Sequence, residues 1–234
     1  MALILHIETT TPTCSVAISE DQKILSVKES HVDKSHAALL TTFISEVLEQ
    51  AKKKPAQLDA ISVSKGPGSY TGLRIGVSTA KGLAYGLNKP LLAVPTLDAL
   101  ALEFYKSIKH KNQPFFLYPM IDARRMEVYT ALFDSKMACL KKTHALVVDA
   151  ESFNPFLEKG PVYFFGTGAQ KCQSLISHKN AIFVPDFHCS ASFLISPALN
   201  LYKNKEFENV AYFEPFYLKD FIATVPKNKI LGTK

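Results

Sequence analysis

Several features that mark particular classes of protein are missing from this sequence of 234 residues. Its four cysteines, Cys14, Cys139, Cys172 and Cys189, form no Cys-x-x-Cys pair and no zinc-ligand spacing, so we expect buried, reduced thiols. No apolar run reaches the roughly 18 residues that a membrane-spanning helix needs. The first residues lack the basic segment of a signal peptide. We therefore expect a cytoplasmic protein without a membrane segment.

The composition is that of a protein with a folded core. Hydrophobic residues make up 47% of the chain and charged residues 21%, and the length suits one large domain or two of ordinary size. The net charge is +6 with a pI near 9.0. Lysines spread along the whole sequence carry this charge, and no compact arginine patch or aromatic platform is visible in it. We therefore expect solvated lysine faces and at most a weak attraction for nucleic acid.

Glycine is scarce except in one segment. Six of the ten glycines lie between Gly66 and Gly86. The first follows an apolar run, residues 58–63, that predicts a buried strand, and a helix is predicted to begin near Ser69 or Tyr70. A helix that starts at a glycine turn directs unpaired N–H groups at one spot, as in an anion site, but a tight turn without a ligand explains the pattern equally well. Neither a Walker A motif nor a dinucleotide-binding fingerprint is present.

The helix after this loop carries two rows of small residues at a spacing of four. Gly72, Gly76, Ala80 and Ala84 form the first row, and Ser78, Gly82 and Gly86 form the second. Each interior glycine costs a helix roughly 0.5–1 kcal/mol relative to alanine, which favours a role in close backbone packing. The first row is expected to face the chain's own sheet, and a partner helix explains the second better.

The predicted elements repeat along the chain. Strands are predicted at residues 3–7, 14–18 and 23–29, a helix at 35–53, and then a strand, a Gly-x-Gly turn and a helix. The second half repeats this order. Its strands are predicted at 115–122, 126–133 and 139–148, followed by a short helix at 151–157, a strand at 162–165 and the turn Gly166-Thr-Gly168. A final helix is predicted at 191–202. Glu8 and Asp122 close the first strands of the two halves.

A duplicated βββαβα unit is typical of the ribonuclease-H-like fold in its paired actin–hexokinase form. We therefore predict an α/β protein with two mixed-sheet subdomains, residues 1–110 and 111–220, followed by a flexible tail at 221–234. In this fold the first-strand carboxylates and the glycine turns face a nucleotide cleft between the subdomains. The corresponding cleft, interpreted here as vestigial, consists of Glu8, Thr9, Gly66, Gly68, Asp122, Gly166 and Gly168.

Two segments carry a resemblance to a known family. Gly66-Pro-Gly-Ser-Tyr-Thr-Gly-Leu-Arg-Ile-Gly76 and Ile121-Asp-Ala-Arg-Arg-Met-Glu-Val-Tyr129 resemble the bacterial TsaB (YeaZ) family, also described as glycoprotease-like. Ile7-Glu-Thr-Thr10, Phe165-Gly-Thr-Gly168 and Pro215-Phe-Tyr-Leu218 extend the resemblance over nearly the whole chain.

The resemblance implies a role in making threonylcarbamoyladenosine beside the anticodon of tRNA. In that pathway TsaB is the non-catalytic partner of TsaD, the transferase, and an ATPase, TsaE, joins them. The resemblance also implies pairing through the two N-terminal helices, with TsaD or, for the chain alone, in a homodimer. Contact with tRNA is expected to be indirect or weak.

The sequence departs from that of an active metal-dependent enzyme. TsaD-like proteins carry a His-x-x-x-His pair, whereas His31 and His36 are five residues apart and do not share a helical face. Glu8 replaces the usual aspartate, and we expect Asp122 to pair with Arg124 or Arg125. No metal, no cofactor and no catalytic activity of the chain alone are expected.

Three functions compete at this point. An actin-like ATPase or small-molecule kinase would use Glu8, Asp122 and the glycine turns. A peptidase has little support, because Ser69 has no recognisable base nearby. A scaffold subunit is favoured, with partner contacts predicted at Leu39, Phe43, Val47, Tyr70, Gly72, Arg74, Gly76, Val77, Ala80 and Lys81. On this hypothesis Gly76→Leu abolishes pairing and leaves the monomer folded.

Overall fold

Two five-stranded sheets with the same strand order organise the chain. The computed structural model describes residues 1–32, 35–109 and 113–219. The elements of the first half are β1 (Leu3–Glu8), β2 (Cys14–Glu20), β3 (Lys23–Ser30), α1 (His36–Gln50), β4 (Ala60–Gly66), α2 (Tyr70–Leu87), β5 (Leu91–Pro95) and α3 (Thr96–Ser107). Those of the second half are β6 (Phe116–Asp122), β7 (Glu127–Asp134), β8 (Cys139–Val147), α4 (Asn154–Leu157), β9 (Val162–Phe165), α5 (Ala169–Cys172), β10 (Ala181–Phe183) and α6 (Ile195–Asn204).

The sheet order confirms the predicted duplication. The first sheet runs β3-β2-β1-β4-β5 and the second β8-β7-β6-β9-β10, so each half is an antiparallel meander extended by two parallel strands. Apolar β-branched residues fill the central strands because both faces of the sheet are covered. The main difference between the halves lies in their helices, since α4 and α5 are single turns whereas α1 and α2 are long.

The helices α1 and α2 cover one face of the first sheet. Leu40, Ile44 and Val47 of α1 and Val77 and Ala80 of α2 enter its hydrophobic core, as their helical spacing predicts. The Ser69 hydroxyl caps α2 by accepting from the Gly72 N–H at 3.2 Å. Helix α2 thus begins where the sequence predicted.

Two helices are exchanged between the halves. Helix α3 follows the first sheet but packs Leu100 and Phe104 against the second, in one core with Leu117 and Phe165. Helix α6 follows the second sheet but packs Ala198 and Leu199 against Ile4, Leu92 and Val94 of the first. The division at residue 110 therefore stays a proposal, because it separates the sheets but not the packing units.

Some expectations concern residues outside the described ranges. The boundary at 110–111 and the tail at 221–234 lie there. Among the cysteines, Cys14, Cys172 and Cys189 are buried free thiols as expected, but Cys139 is exposed at the start of the edge strand β8. No helix of the described residues is long and apolar enough to cross a membrane.

Candidate functional site

A cleft of about 400 Å³ lies between the two halves. Its walls come from the β1–β2 turn, the start of α2, the β6–β7 turn and the last described residues. They comprise Thr10, Thr11, Pro12, Gly68, Ser69, Tyr70, Thr71, Ile121, Asp122, Ala123, Arg124, Tyr129, Thr167, Tyr217, Leu218 and Lys219. Of the seven predicted cleft residues, Gly68 and Asp122 line it, and the other five do not.

Glu8 lies inside the first half and does not line this cleft. Its carboxylate accepts from the Thr10 N–H at 2.6 Å, from Thr10 Oγ1 at 2.5 Å and from the Ser64 hydroxyl. Burial raises the pKa of Glu8, and the hydrogen bonds from Ser64 and Thr10 oppose that rise. A carboxylate surrounded by its own chain in this way does not reach a nucleotide or a metal ion in the cleft.

Asp122 is at the cleft but is neutralised by a neighbour that sequence reasoning missed. The ammonium of Lys171, in the single-turn helix α5, forms an ion pair with it. Lys171 also donates to the carbonyls of Arg125 at 2.8 Å and Glu127 at 2.6 Å. The expected pairing with an arginine side chain is wrong, because Arg124 reaches Asp122 through its backbone N–H at 2.8 Å.

The remaining predicted cleft residues are occupied by packing against the chain itself. Thr9 is buried and its hydroxyl donates to the Gly72 carbonyl at 2.8 Å. Gly66 and Gly166 both have positive φ, 106° and 95°, and a Cβ on either would meet a backbone carbonyl at less than 3.0 Å. Gly168 packs as closely against Val128. These glycines serve turns and close approaches, so the turn without a ligand is the better interpretation of both loops.

The histidines near the first helix are held by main-chain and hydroxyl groups. His36 is buried, and its Nε2 lies 2.9 Å from the Thr11 carbonyl. His31 Nδ1 lies 3.1 Å from Thr13 Oγ1, and its ring lies 5.4 Å from that of His188, measured between centroids, at a tilt of 46°. Within the ranges that the structure describes, no three or more His, Cys, Asp or Glu side chains are grouped as metal ligands would be.

The residues after α6 form a strap across the cleft mouth. The C-terminal strap, residues 207–219, adds a backbone contact to β5, where the Glu208 N–H donates to Leu91 at 2.9 Å. Lys81 of α2 donates to the carbonyls of Ala211 and Phe213. Near its end Tyr217 contacts Tyr70, with the ring centroids 4.9 Å apart and the rings tilted by 37°.

The strap reaches the second half through its last described residue. Lys219 forms an ion pair with Glu127 of β7. The Phe216 N–H donates to the Lys65 carbonyl at 2.7 Å beside the glycine loop. The strap therefore ties the two sides of the cleft together, which local sequence signals did not reveal.

The predicted partner contacts divide into buried and accessible residues. Gly72, Gly76, Val77 and Ala80 of α2, and Val47 of α1, lie in the chain's own core, so they do not contact a partner directly. A Cβ on Gly76 would lie less than 3.0 Å from Thr9 Oγ1. The expectation that Gly76→Leu leaves the monomer folded is therefore wrong.

The other predicted contacts keep some access to solvent. Leu39, Phe43, Tyr70 and Lys81 are half-buried and Arg74 is exposed. Leu39 and Phe43 rest against the core of the first half. The amine of Lys81 is committed to the C-terminal strap, and Arg74 lies over the Tyr70 ring at 5.6 Å. A role for these residues in pairing stays a prediction.

The second row of small residues has open space in front of it. A Cβ on Gly82 or Gly86 would meet no atom within 4 Å. Ser78 is exposed beside them, and Tyr85 in the same stretch is 83% exposed. The first three turns of α1 also expose small residues, Ala37, Ala38, Thr41, Thr42 and Ser45, and Glu49 and Gln50 are exposed at its end. We call the exposed side of the two adjacent helices the α1–α2 face. Small residues predominate on it, and Arg74, Tyr85, Glu49 and Gln50 are its larger exposed side chains.

A family model described as "TsaD: tRNA N6-adenosine threonylcarbamoyltransferase" matches residues 23–227. The tRNA threonylcarbamoyladenosine biosynthesis protein TsaB of Bacillus subtilis is 33% identical over 166 residues, which is 70% of each chain. The chain belongs to the TsaB family. The match with Escherichia coli TsaB is 27% identical and covers 94% of this chain and 96% of that one.

A solved structure supports the same assignment. YeaZ from Pseudomonas aeruginosa superposes with a TM-score of 0.79 at 25% identity, over 93% of this chain and all of the other. The family resemblance and the duplicated actin-like fold expected from the sequence are thereby confirmed. Relatives named for the TsaB family and a model named for TsaD both match, so the chain is a TsaB member of a wider TsaD-like group.

Proposed function

We propose that this chain is the non-catalytic pairing subunit of the machinery that makes threonylcarbamoyladenosine in tRNA. The curated relatives carry that biosynthetic pathway in their names. The observation that supports a non-catalytic role is the placement of the two acidic residues that end the first strands: Glu8 is buried away from the cleft under hydrogen bonds from its own chain, and Asp122, at the cleft, is paired with Lys171. An ATPase or kinase needs carboxylates free to orient a metal ion, and neither residue is so placed.

The partner proposed for the α1–α2 face is a TsaD-type transferase with an equivalent helix pair. Small exposed residues on both helices allow two helix pairs to approach closely, because interaxial distance depends on the side chains at the contact. Pairing would favour one arrangement of the transferase by differential binding. Self-pairing when the partner is absent, recruitment of a TsaE-type ATPase and a cytoplasmic location complete the proposal.

The test adds bulk to the exposed row. We expect Gly82→Leu to weaken pairing with the TsaD-type subunit by at least about tenfold, because a side chain would separate the helices. Size-exclusion chromatography with light scattering, on each chain alone and on the mixture, measures it. The matched control is Lys89→Leu, which adds a similar apolar side chain beyond the end of α2 and should leave the complex intact.

The same experiment has a clear adverse outcome. Unchanged one-to-one assembly of a folded Gly82→Leu chain would show that the α1–α2 face is not the interface. A wild-type chain that never assembles with the transferase, at concentrations where both remain folded, would overturn the pairing function itself.

A further inference from the structure

The chain has three arginines: Arg124 lines the cleft, Arg74 lies over the ring of the lining residue Tyr70, and Arg125 directly follows Arg124. Arg74 is on the second turn of α2, and Arg124 and Arg125 form the turn between β6 and β7, both with positive φ. All three side chains are exposed. In a protein with twenty-four lysines among its 27 basic residues, this placement concentrates at one site the side chain best suited to bidentate phosphate recognition.

An aromatic pair lies in the wall of the cleft. Tyr70 and Tyr217 are in contact, with ring centroids 4.9 Å apart and tilted planes, and Arg74 lies over the Tyr70 ring at 5.6 Å. Across the cleft, burial raises the pKa of Tyr129, and the nearby charges of Lys219 and Arg124 oppose that rise. We call Arg74, Arg124, Arg125, Tyr70 and Tyr217 the arginine–tyrosine rim.

The acidic groups beside the rim are mostly neutralised. Asp122 is paired with Lys171 and Glu127 with Lys219. Among the residues that the structure describes, Glu214 is a further carboxylate near the rim, and its charge adds to burial in raising the pKa of Tyr217. Among the described residues no carboxylate forms an ion pair with any of the three arginines, so the rim carries an excess of positive charge over a cleft of about 400 Å³.

We propose that the arginine–tyrosine rim is a direct RNA-binding surface that takes a single-stranded or loop segment. Arginine forks bind phosphates, aromatic faces stack on unpaired bases, and single-stranded RNA offers both groups together. A cleft of this volume is in the range of pockets that hold a small molecule, and so it can admit one base. The inference deepens the proposed function, since it makes tRNA a direct ligand of this subunit.

Fluorescence anisotropy with a labelled hairpin RNA that has a single-stranded loop tests the inference on the full chain at several salt concentrations. We expect Arg124→Ser combined with Arg125→Ser to weaken binding by about tenfold and to reduce the salt slope by about 1–2. The matched control is Lys141→Ser with Lys142→Ser, which removes the same charge from the exposed strand β8 and should change affinity by less than about twofold.

A second variant separates base stacking from charge. Tyr217→Ala should weaken binding of the loop RNA by about fivefold or more. It should weaken binding of a fully paired duplex of equal length much less, because a duplex offers no free base faces. Equal losses of RNA affinity in the double arginine variant and the double lysine variant would show that RNA binds only through the general positive charge of the chain. Complete displacement of the RNA by ATP at equal phosphate concentration would identify a nucleotide site instead. Either result overturns the proposal.

The outcome is independent of pairing. The double arginine variant should still assemble with the TsaD-type subunit, because the β6–β7 turn is outside the α1–α2 face. If the wild type fails to assemble but its RNA binding depends on the arginines, the pairing function fails and the rim stands. If the wild type assembles with the TsaD-type subunit but the double arginine variant binds RNA as well as the wild type does, the arginine–tyrosine rim is not the RNA-binding surface and the pairing function stands.

Discussion

Glu8 and His6 are titratable residues of β1 whose side chains lie wholly inside the first half. Burial lowers the pKa of His6 to about 3, and its Nε2 lies 2.9 Å from the Ser19 hydroxyl. Burial raises the pKa of Glu8. Burial thus shifts both pKa values in the direction that disfavours the charged form, and in Glu8 the hydrogen bonds from Ser64 and Thr10 oppose that shift.

The raised pKa of Glu8 makes a prediction about stability. The native state keeps a proton that the unfolded chain releases above about pH 4.5, and so the free energy of unfolding falls as pH rises from there to the native pKa. Glu8→Gln removes this dependence. We expect its free energy of unfolding, relative to wild type, to rise by about 1.4 kcal/mol per pH unit across that window.

Urea unfolding between pH 4 and 8 measures this difference. Comparison with the wild type at each pH cancels His6, whose lowered pKa acts in the opposite direction: its stabilising effect is complete above about pH 6.5 and is lost as pH falls toward 3. Glu49→Gln, on an exposed position of α1, is the control for loss of one carboxylate. A pH-independent difference between Glu8→Gln and wild type would contradict the raised pKa.

At the scale of the element, α2 has two glycine rows with opposite surroundings. A Cβ on Gly72 would lie less than 3.0 Å from the Thr9 carbonyl, whereas one on Gly82 would meet nothing. The first row is required by contact of the helix with the β1–β2 turn. Packing inside the chain does not require glycine in the second row, although each glycine there lowers helix stability. We propose that these glycines serve pairing with a partner.

Alanine substitutions should separate the two rows. Gly72→Ala is expected to destabilise the chain by about 1–3 kcal/mol, because backbone must move to admit the methyl group. Gly82→Ala should stabilise it by about 0.5–1 kcal/mol through helix propensity alone. Guanidinium unfolding of both variants measures the difference, and changes of the same sign in both would contradict the assignment of the rows.

The sequence predicted most elements because their signals are local. Apolar periodicity located α1, and the glycine turn located the start of α2. The spacing of the first glycine row predicts that it faces the sheet, but Gly72 and Gly76 are also among the predicted partner contacts. The two predictions conflict because a helical repeat does not show which of two helix faces is covered.

The interactions that define the cleft were harder to predict. Lys171 is 49 residues from Asp122, and Tyr217 is 147 residues from Tyr70 in the sequence. No local pattern links such residues, because their proximity depends on how the two sheets are arranged. The three arginines are visible in the sequence, but only the fold shows that Arg124 lines the cleft and that Arg74 lies over Tyr70 in its wall.

At the scale of the whole molecule, the exchange of α3 and α6 joins the two sheets into one packing unit. Phe104 of α3 is 7% exposed, stacks on Phe165 at 4.3 Å and contacts Phe187 edge-on. The C-terminal strap adds a second connection between the halves. We therefore expect the described part of the chain to unfold as one cooperative unit.

Calorimetry tests this cooperativity through Phe104→Ala. We expect a single transition, with equal calorimetric and van't Hoff enthalpies, and a loss of about 3–5 kcal/mol in the variant. Phe207→Ala, at a residue that is 45% exposed, is the matched aromatic control and should cost much less. Two resolved transitions, of which Phe104→Ala shifts only one, would show that the halves unfold independently.

The exchanged helices also set an order of events during synthesis. Nearly a hundred residues separate the end of α3 at Ser107 from the end of α6 at Asn204. At about 5–20 residues per second, the ribosome takes roughly 5–20 s to supply the second. During that interval the emerging first sheet has α1 and α2 on one side and no α6 on the other, and α3 lacks the sheet on which it packs. The nascent chain thus exposes apolar surface for seconds, which makes its first half a substrate for chaperones before it is a partner for any other subunit.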